Sequence, residues 1–270
     1  MFPFSMPSSQ IKWWIWAVAC ETASAHSFST SMLRFTLFGF PIQIHGMFWL
    51  NTALMGGAIG ADSPERFRGL LAWVVAVLLS VLIHELGHAL AMRNYGDRRV
   101  GIVLYAFGGL AMGSKPRTRQ EDFLVSAAGP GLEILAGLAV GWSITLWPPP
   151  WLWLHQMLDA FTVVSIFWAL LNLVPVLPLD GGRLCQAYLG PGRQRQVLTI
   201  SIVCAVCLAL LSVVGDLWLR LQNGVLNLLD IDTVTRVGSG LFTLLMFGML
   251  AWNNWKELQN EPQIPWMNAR

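Results

Sequence analysis

The chain has 270 residues, of which 55% are hydrophobic and 12% charged, and its formal net charge is +2. Soluble domains carry about 25% charged residues, so this composition describes an integral membrane protein, and a net charge this small gives no argument for nucleic acid, which is not expected as a partner. Fourteen tryptophans fit a bilayer protein, because Trp collects at the membrane–water interface, while four cysteines supply no disulfide framework.

Residues 1–37 form an N-terminal segment. Ile11–Cys20 is a short apolar run followed by Ala23-Ser24-Ala25. It reads either as signal-like, with a small-residue cleavage site, or as an extension ahead of a natural start at Met32. Hydropathy then draws six spans, at roughly 43–61, 70–92, 123–146, 160–179, 197–215 and 239–254. Gly129-Pro130-Gly131 interrupts the third, which a span tolerates where neighbours satisfy the freed backbone groups. Val100–Met112 is too short to span and reads as a strand pair with a glycine turn or bulge at Gly108-Gly109. Such edges cannot face lipid, so this pair must pack on protein or offer an edge to another chain. Trp147-Pro148-Pro149-Pro150-Trp151-Leu152-Trp153 reads as a belt at one membrane surface. Cys204 and Cys207 form a CxxC within an apolar helix, where small packing residues are the better reading than a redox or zinc pair.

Basic residues predict the orientation. With six spans, 13 Lys and Arg residues fall on one side, including Arg93, Arg98, Arg99, Lys115, Arg117 and Arg119 after the second span, against Arg66, Arg68, Arg220 and Arg236 on the other. The positive-inside rule places the richer side, and both termini, in the cytoplasm.

The ionisable groups inside or ending the apolar runs are Glu85, Glu133, Asp180, His45, His84 and His88. A charged group in a span costs about 2.5–3.5 kcal/mol on insertion scales, so each needs a reason. His84-Glu85-Leu86-Gly87-His88 supplies one: the histidines share a helix face and can chelate one ion, with Glu85 able to reach a metal-bound water without being a ligand. Zinc in such a site takes three protein ligands and lowers the pKa of its water from about 15.7 to about 7. Asp180 is the best third ligand. Pro175 and Pro178 end a helix and hold the chain extended ahead of it, and Gly181 and Gly182 permit close backbone approach. His84 lies about 12 Å from the Met92 end of its helix, and Asp180 ends the fourth span on the same side, so both approach one leaflet. His45, at the start of the first span, reads as interface packing.

These two motifs resemble the site-2 protease family, the intramembrane zinc metalloproteases. The family carries HExxH on one core span, matched by His84, Glu85 and His88, and NxxPxxPxDG on the third, matched by Asn172, Pro175, Pro178, Asp180 and Gly181. Gly108-Gly109 and Ala128-Gly129-Pro130 also resemble family features, and the similarity covers about residues 38–190. The resemblance implies an all-α polytopic membrane protein of about six transmembrane helices, with a three-helix catalytic core over 38–190, a short membrane-associated β-hairpin, and C-terminal transmembrane helices and a short tail over 191–270. It implies one Zn2+ per chain on His84, His88 and Asp180, with Glu85 as catalytic base. The implied activity is cleavage of a transmembrane segment of another membrane protein, at the cytoplasmic side of a bacterial inner membrane. Asn172, Gly108 and Gly109 become candidates for substrate binding or oxyanion stabilisation. Glu133 stands where the family often has Asn. As a buried acid without a partner it would be protonated and could donate to the scissile carbonyl; alternatively it pairs structurally with a neighbouring helix. A second copy of the chain, or a separate regulatory membrane protein, stays open as a partner beside the substrate and the bilayer. The alternative function is a catalytically inactive zinc-binding protein acting as a binder or regulator. A transporter would need a broken-helix repeat pair that the sequence does not have.

Overall fold

The computed structural model describes residues 33–106, 108–114, 117–222 and 231–260. In chain order these form β1 (Leu33–Leu37), β2 (Phe40–Ile44), α1 (Gly46–Met55), a short 3-10 helix (Ala58–Gly60), α2 (Pro64–Asn94), β3 (Gly101–Tyr105), β4 (Gly108–Met112), α3 (Arg119–Leu146), α4 (Leu152–Asn172), α5 (Asp180–Leu189), α6 (Gln194–Gln222) and α7 (Ile231–Asn260). Among the described residues, four helices are long and apolar enough to cross a membrane: Pro64–Asn94, Arg119–Leu146, Leu152–Asn172 and the Gln194–Gly215 part of α6. The sixth predicted stretch, 239–254, lies within α7. The possible signal-like run at 11–25 falls outside the described residues.

Local chemistry sets the helix limits. Ser63 caps α2 by accepting the Arg66 N–H at 3.3 Å, Pro64 occupies its first turn and Arg93 its last. Thr118 and Glu121 form a reciprocal capping box at the start of α3. Pro130 is buried inside α3, which runs through the predicted interruption as one helix.

Two predicted spans differ. The stretch 43–61 is not one helix: Ile44 pairs with Leu104 of β3, α1 begins only at Gly46, and Gly57, at φ +82°, ends it. The apolar residues are instead shared between a strand and a short helix that run antiparallel to α2. Arg93 donates to the Phe38 carbonyl at 2.8 Å and lies 4.2 Å over the Phe40 ring, while Trp73 donates to the Thr52 carbonyl at 3.1 Å. A hydropathy window counts apolar content and is blind to this pairing. The fourth span begins earlier than 160, because the proline run stops at Pro150 and α4 starts at Leu152; it ends at Asn172, short of 179.

The predicted β3–β4 hairpin is present, and it belongs to a four-stranded sheet of order β1-β2-β3-β4, antiparallel at both ends and parallel between β2 and β3. Alternate residues Phe40, Ile42, Ile44, Ile102 and Leu104 face α2 and pack on Val81, Leu82, Leu86, Ala89 and Met92. Helix α2 packs against α3 and α4, and these two against each other. The last two long helices, α6 and α7, pack together around Val176, Ala205, Phe247 and Leu250.

Candidate metal centre

Residues Ser80, His84 and His88 occupy one face of α2, at four-residue spacing, and all three are buried. Asp180 reaches this face from the first turn of α5. His84 Nε2 lies 2.9 Å from Asp180 Oδ2, His88 Nε2 lies 3.2 Å from the same oxygen, and the two ring nitrogens are 3.1 Å apart. These three are the metal-ligand cluster found among the described residues.

The other ring atoms show what this triangle can hold. His88 Nδ1 donates to the Val125 carbonyl at 2.7 Å. A carbonyl only accepts, so Nδ1 carries a proton, and in the neutral ring the lone pair is then on Nε2. His84 Nδ1 donates likewise to Glu133 Oε2 at 2.7 Å. With both rings neutral, three lone-pair-bearing atoms converge, and their mutual repulsion is relieved by a cation among them. A tetrahedral zinc with bonds of about 2.0–2.1 Å needs neighbouring ligand atoms roughly 3.3 Å apart. The triangle matches one face of that tetrahedron to within a few tenths of an ångström, so the donor set fits zinc.

Glu133 sits behind His84, away from the open side of the triangle. It is fully buried, and its second oxygen accepts from Ser80 Oγ at 2.5 Å. The expectation of a partnerless acid aimed at a scissile carbonyl does not match this placement. Both oxygens are engaged, one by Ser80 and the other by Nδ1 of His84, a candidate metal ligand. Replacing Glu133 by alanine is expected to weaken zinc binding about 10- to 100-fold, measured by chelator competition; parent-like affinity would show that His84 needs no such support.

Glycines let the backbones close on the site. A side chain at Gly129 would place its first carbon 2.2 Å from His88 Nε2, and one at Gly87 would lie 2.4 Å from the Ala128 carbonyl oxygen. A side chain at Gly109 of β4 would meet Glu85 Cγ at 2.3 Å, so this strand lies directly against Glu85, which is itself buried. Gly108 meets no such neighbour. The Asn172 amide donates back to the Trp168 carbonyl at 3.0 Å, within its own helix. His45 caps α1, accepting from the Met47 N–H at 3.2 Å, and packs on the Tyr105 ring. Asp180 contacts the histidines, and its glycines act by close approach: Gly181 lies on Leu173 and Val174, and Gly182 on Val176 and Leu177.

Residues 149–214 match the profile described as Peptidase family M50. Over this stretch the chain is similar to the M50 peptidases, the site-2 proteases. It is 30% identical over 233 residues to a candidate zinc metalloprotease of Synechocystis sp., covering 81% of this chain and 59% of that protein. It is 28% identical over 167 residues to a zinc metalloprotease of Methanocaldococcus jannaschii, covering 59% of this chain and 45% of the relative. The chain therefore spans only about half the length of these curated proteins. The solved site-2 protease from Methanocaldococcus jannaschii shares the fold, with a TM-score of 0.54 at 21% identity over 84% of this chain and 95% of that one.

Ser80, Ser201 and Asn254 were not singled out by sequence reasoning. Each is a polar residue buried in an apolar helix, and that mismatch is the signal that could have found them.

Proposed function

We propose that this chain is an intramembrane zinc metalloprotease, hydrolysing peptide bonds within or near transmembrane segments of other membrane proteins. The observation that carries the reading is the buried convergence of His84, His88 and Asp180, with Glu85 adjacent on the same helix. One zinc ion per chain is held by the three ligands, within a catalytic core of α2, α3 and α4 spanning about residues 38–190. When bound, zinc supplies a Lewis acid that brings proton loss from water near neutral pH. Glu85 takes that proton and delivers it to the leaving amine. Glu133 and Val125 hold the two imidazoles in the ligating tautomer.

A helical substrate has its carbonyls bonded internally and must unwind before attack. An extended stretch can then pair with the outer edge of β4, a recurring mode of peptide capture. Among the described residues β3 is an interior strand, and β4 is the edge strand that lies against Glu85. A photo-crosslinker at Leu110 of β4 should capture substrate, while one at Phe35 of β1 should not; equal yields would remove β4 as the docking edge.

The basic loops support an orientation with the site toward the cytoplasm, in what we read as a bacterial inner membrane. A membrane-impermeant thiol reagent should label Arg66→Cys in intact cells and Arg98→Cys only after permeabilisation; the reverse pattern overturns this orientation. Catalysis itself is tested by zinc-dependent cleavage of a transmembrane substrate in liposomes, with the Glu85→Gln chain as control.

A further inference from the structure

The geometry points to Ser201 of α6 and Asn254 of α7 as positioning residues for the third metal ligand. Asp180 follows an irregular segment, 173–179, that belongs to no helix or strand. Within it, Leu177 precedes a proline, and its N–H and carbonyl have no partner in a helix or strand. Two side chains from outside the helices that carry the site take them up. Ser201 Oγ accepts the Leu177 N–H at 3.2 Å, and Asn254 Nδ2 donates to the Leu177 carbonyl at 2.8 Å. Both side chains are buried, Ser201 completely, and Asn254 is itself tied to the Leu250 carbonyl at 2.8 Å.

The tie reaches the ligand by a short route. Gly182, two residues beyond Asp180, lies on the backbone of Val176 and Leu177, so close that a side chain there would meet the Leu177 nitrogen at 2.5 Å. Val176, next to the tied residue, is fully buried among Ala205, Phe247 and Leu250 of α6 and α7. Metal sites tolerate ligand distances within only about 0.2 Å. An irregular segment inside a bilayer keeps such precision only if its free polar groups are satisfied by protein. In this arrangement the C-terminal helices set the position of Asp180 without touching the metal.

This inference rests on the zinc reading of His84, His88 and Asp180, and the experiment separates the two. Zinc affinity is measured by chelator competition, and site geometry by the visible absorption of the cobalt(II)-substituted full-length chain. Only detergent-solubilised chains that elute as the parent does are compared. Ser201→Ala and Asn254→Leu should each weaken zinc about 10- to 100-fold and alter the cobalt spectrum. Ser201→Thr, which keeps the hydroxyl, should restore both readouts, and Ser212→Ala, elsewhere on α6, should bind as the parent does. If Asn254→Leu does not fold, the Ser201 pair decides. Parent-like affinity and spectrum in Ser201→Ala and in any folded Asn254→Leu chain, alongside loss of zinc in Asp180→Ala, overturn the tie alone. Parent-like binding in Asp180→Ala overturns the zinc reading and the tie with it.

Discussion

Replacing Glu85 by glutamine is expected to stop peptide-bond cleavage while leaving zinc bound. The substitution keeps the side chain's volume, so it still fits against Gly109, where no additional atom can be accommodated. It removes the only property the reaction asks of this residue, the ability to accept a proton. General acid–base groups contribute about 10²–10⁴-fold to rate, and Glu85 serves at two stages, so the loss should lie at or beyond the upper end. The proposed zinc ligands, His84, His88 and Asp180, are left unaltered, so metal content is expected to stay at one ion per chain. Cleavage of a transmembrane substrate in liposomes, followed by mass spectrometry, reads the first quantity, and metal analysis of the same sample reads the second. Unchanged cleavage would remove Glu85 from the reaction. Retained biological function with abolished cleavage would instead favour the inactive-binder alternative.

Asp180→Ala is expected to abolish both metal binding and cleavage. It takes away one corner of the triangle and its only negative charge, leaving two neutral imidazole nitrogens 3.1 Å apart. Loss of a group that merely supports a ligand costs about 10- to 100-fold in affinity; loss of the ligand itself should exceed that range. The helices should still assemble, because the Asp180 carboxylate lies against the two histidines of the site, whereas α2 packs on the sheet through Val81, Leu86 and Met92. Zinc titration of the purified chain, with its thermal transition as control, checks this. Zinc retained at parent affinity would show that a different third group completes the site.

Much of the site was legible because lipid makes polar residues expensive. His84, Glu85, His88 and Asp180 could be picked out as exceptions within apolar runs, and helical spacing alone put the histidines on one face. The strand pair at 100–112 was legible from its length and β-branched content. The sheet it joins was not: Phe40, Ile42 and Ile44 look the same to a hydropathy window whether they enter a helix or pair with Ile102 and Leu104. The role of Glu133 was also hidden. From the sequence it is an acid with no visible partner, because its partners, Ser80 and His84, lie 53 and 49 residues away.

The sequence by itself determined the membrane class and the chemistry of the candidate donor set, with Glu85 as the candidate base beside it, since these follow from residue types and from spacing along a single helix. Tertiary structure alone decided which atoms meet. It brought Asp180 to within hydrogen-bonding distance of residues 92 and 96 positions earlier, set Glu133 against Ser80 and His84, and drew Ser201 and Asn254 onto Leu177. Such contacts depend on how rigid elements pack, and packing is a property of surfaces shared by distant segments that no local pattern encodes.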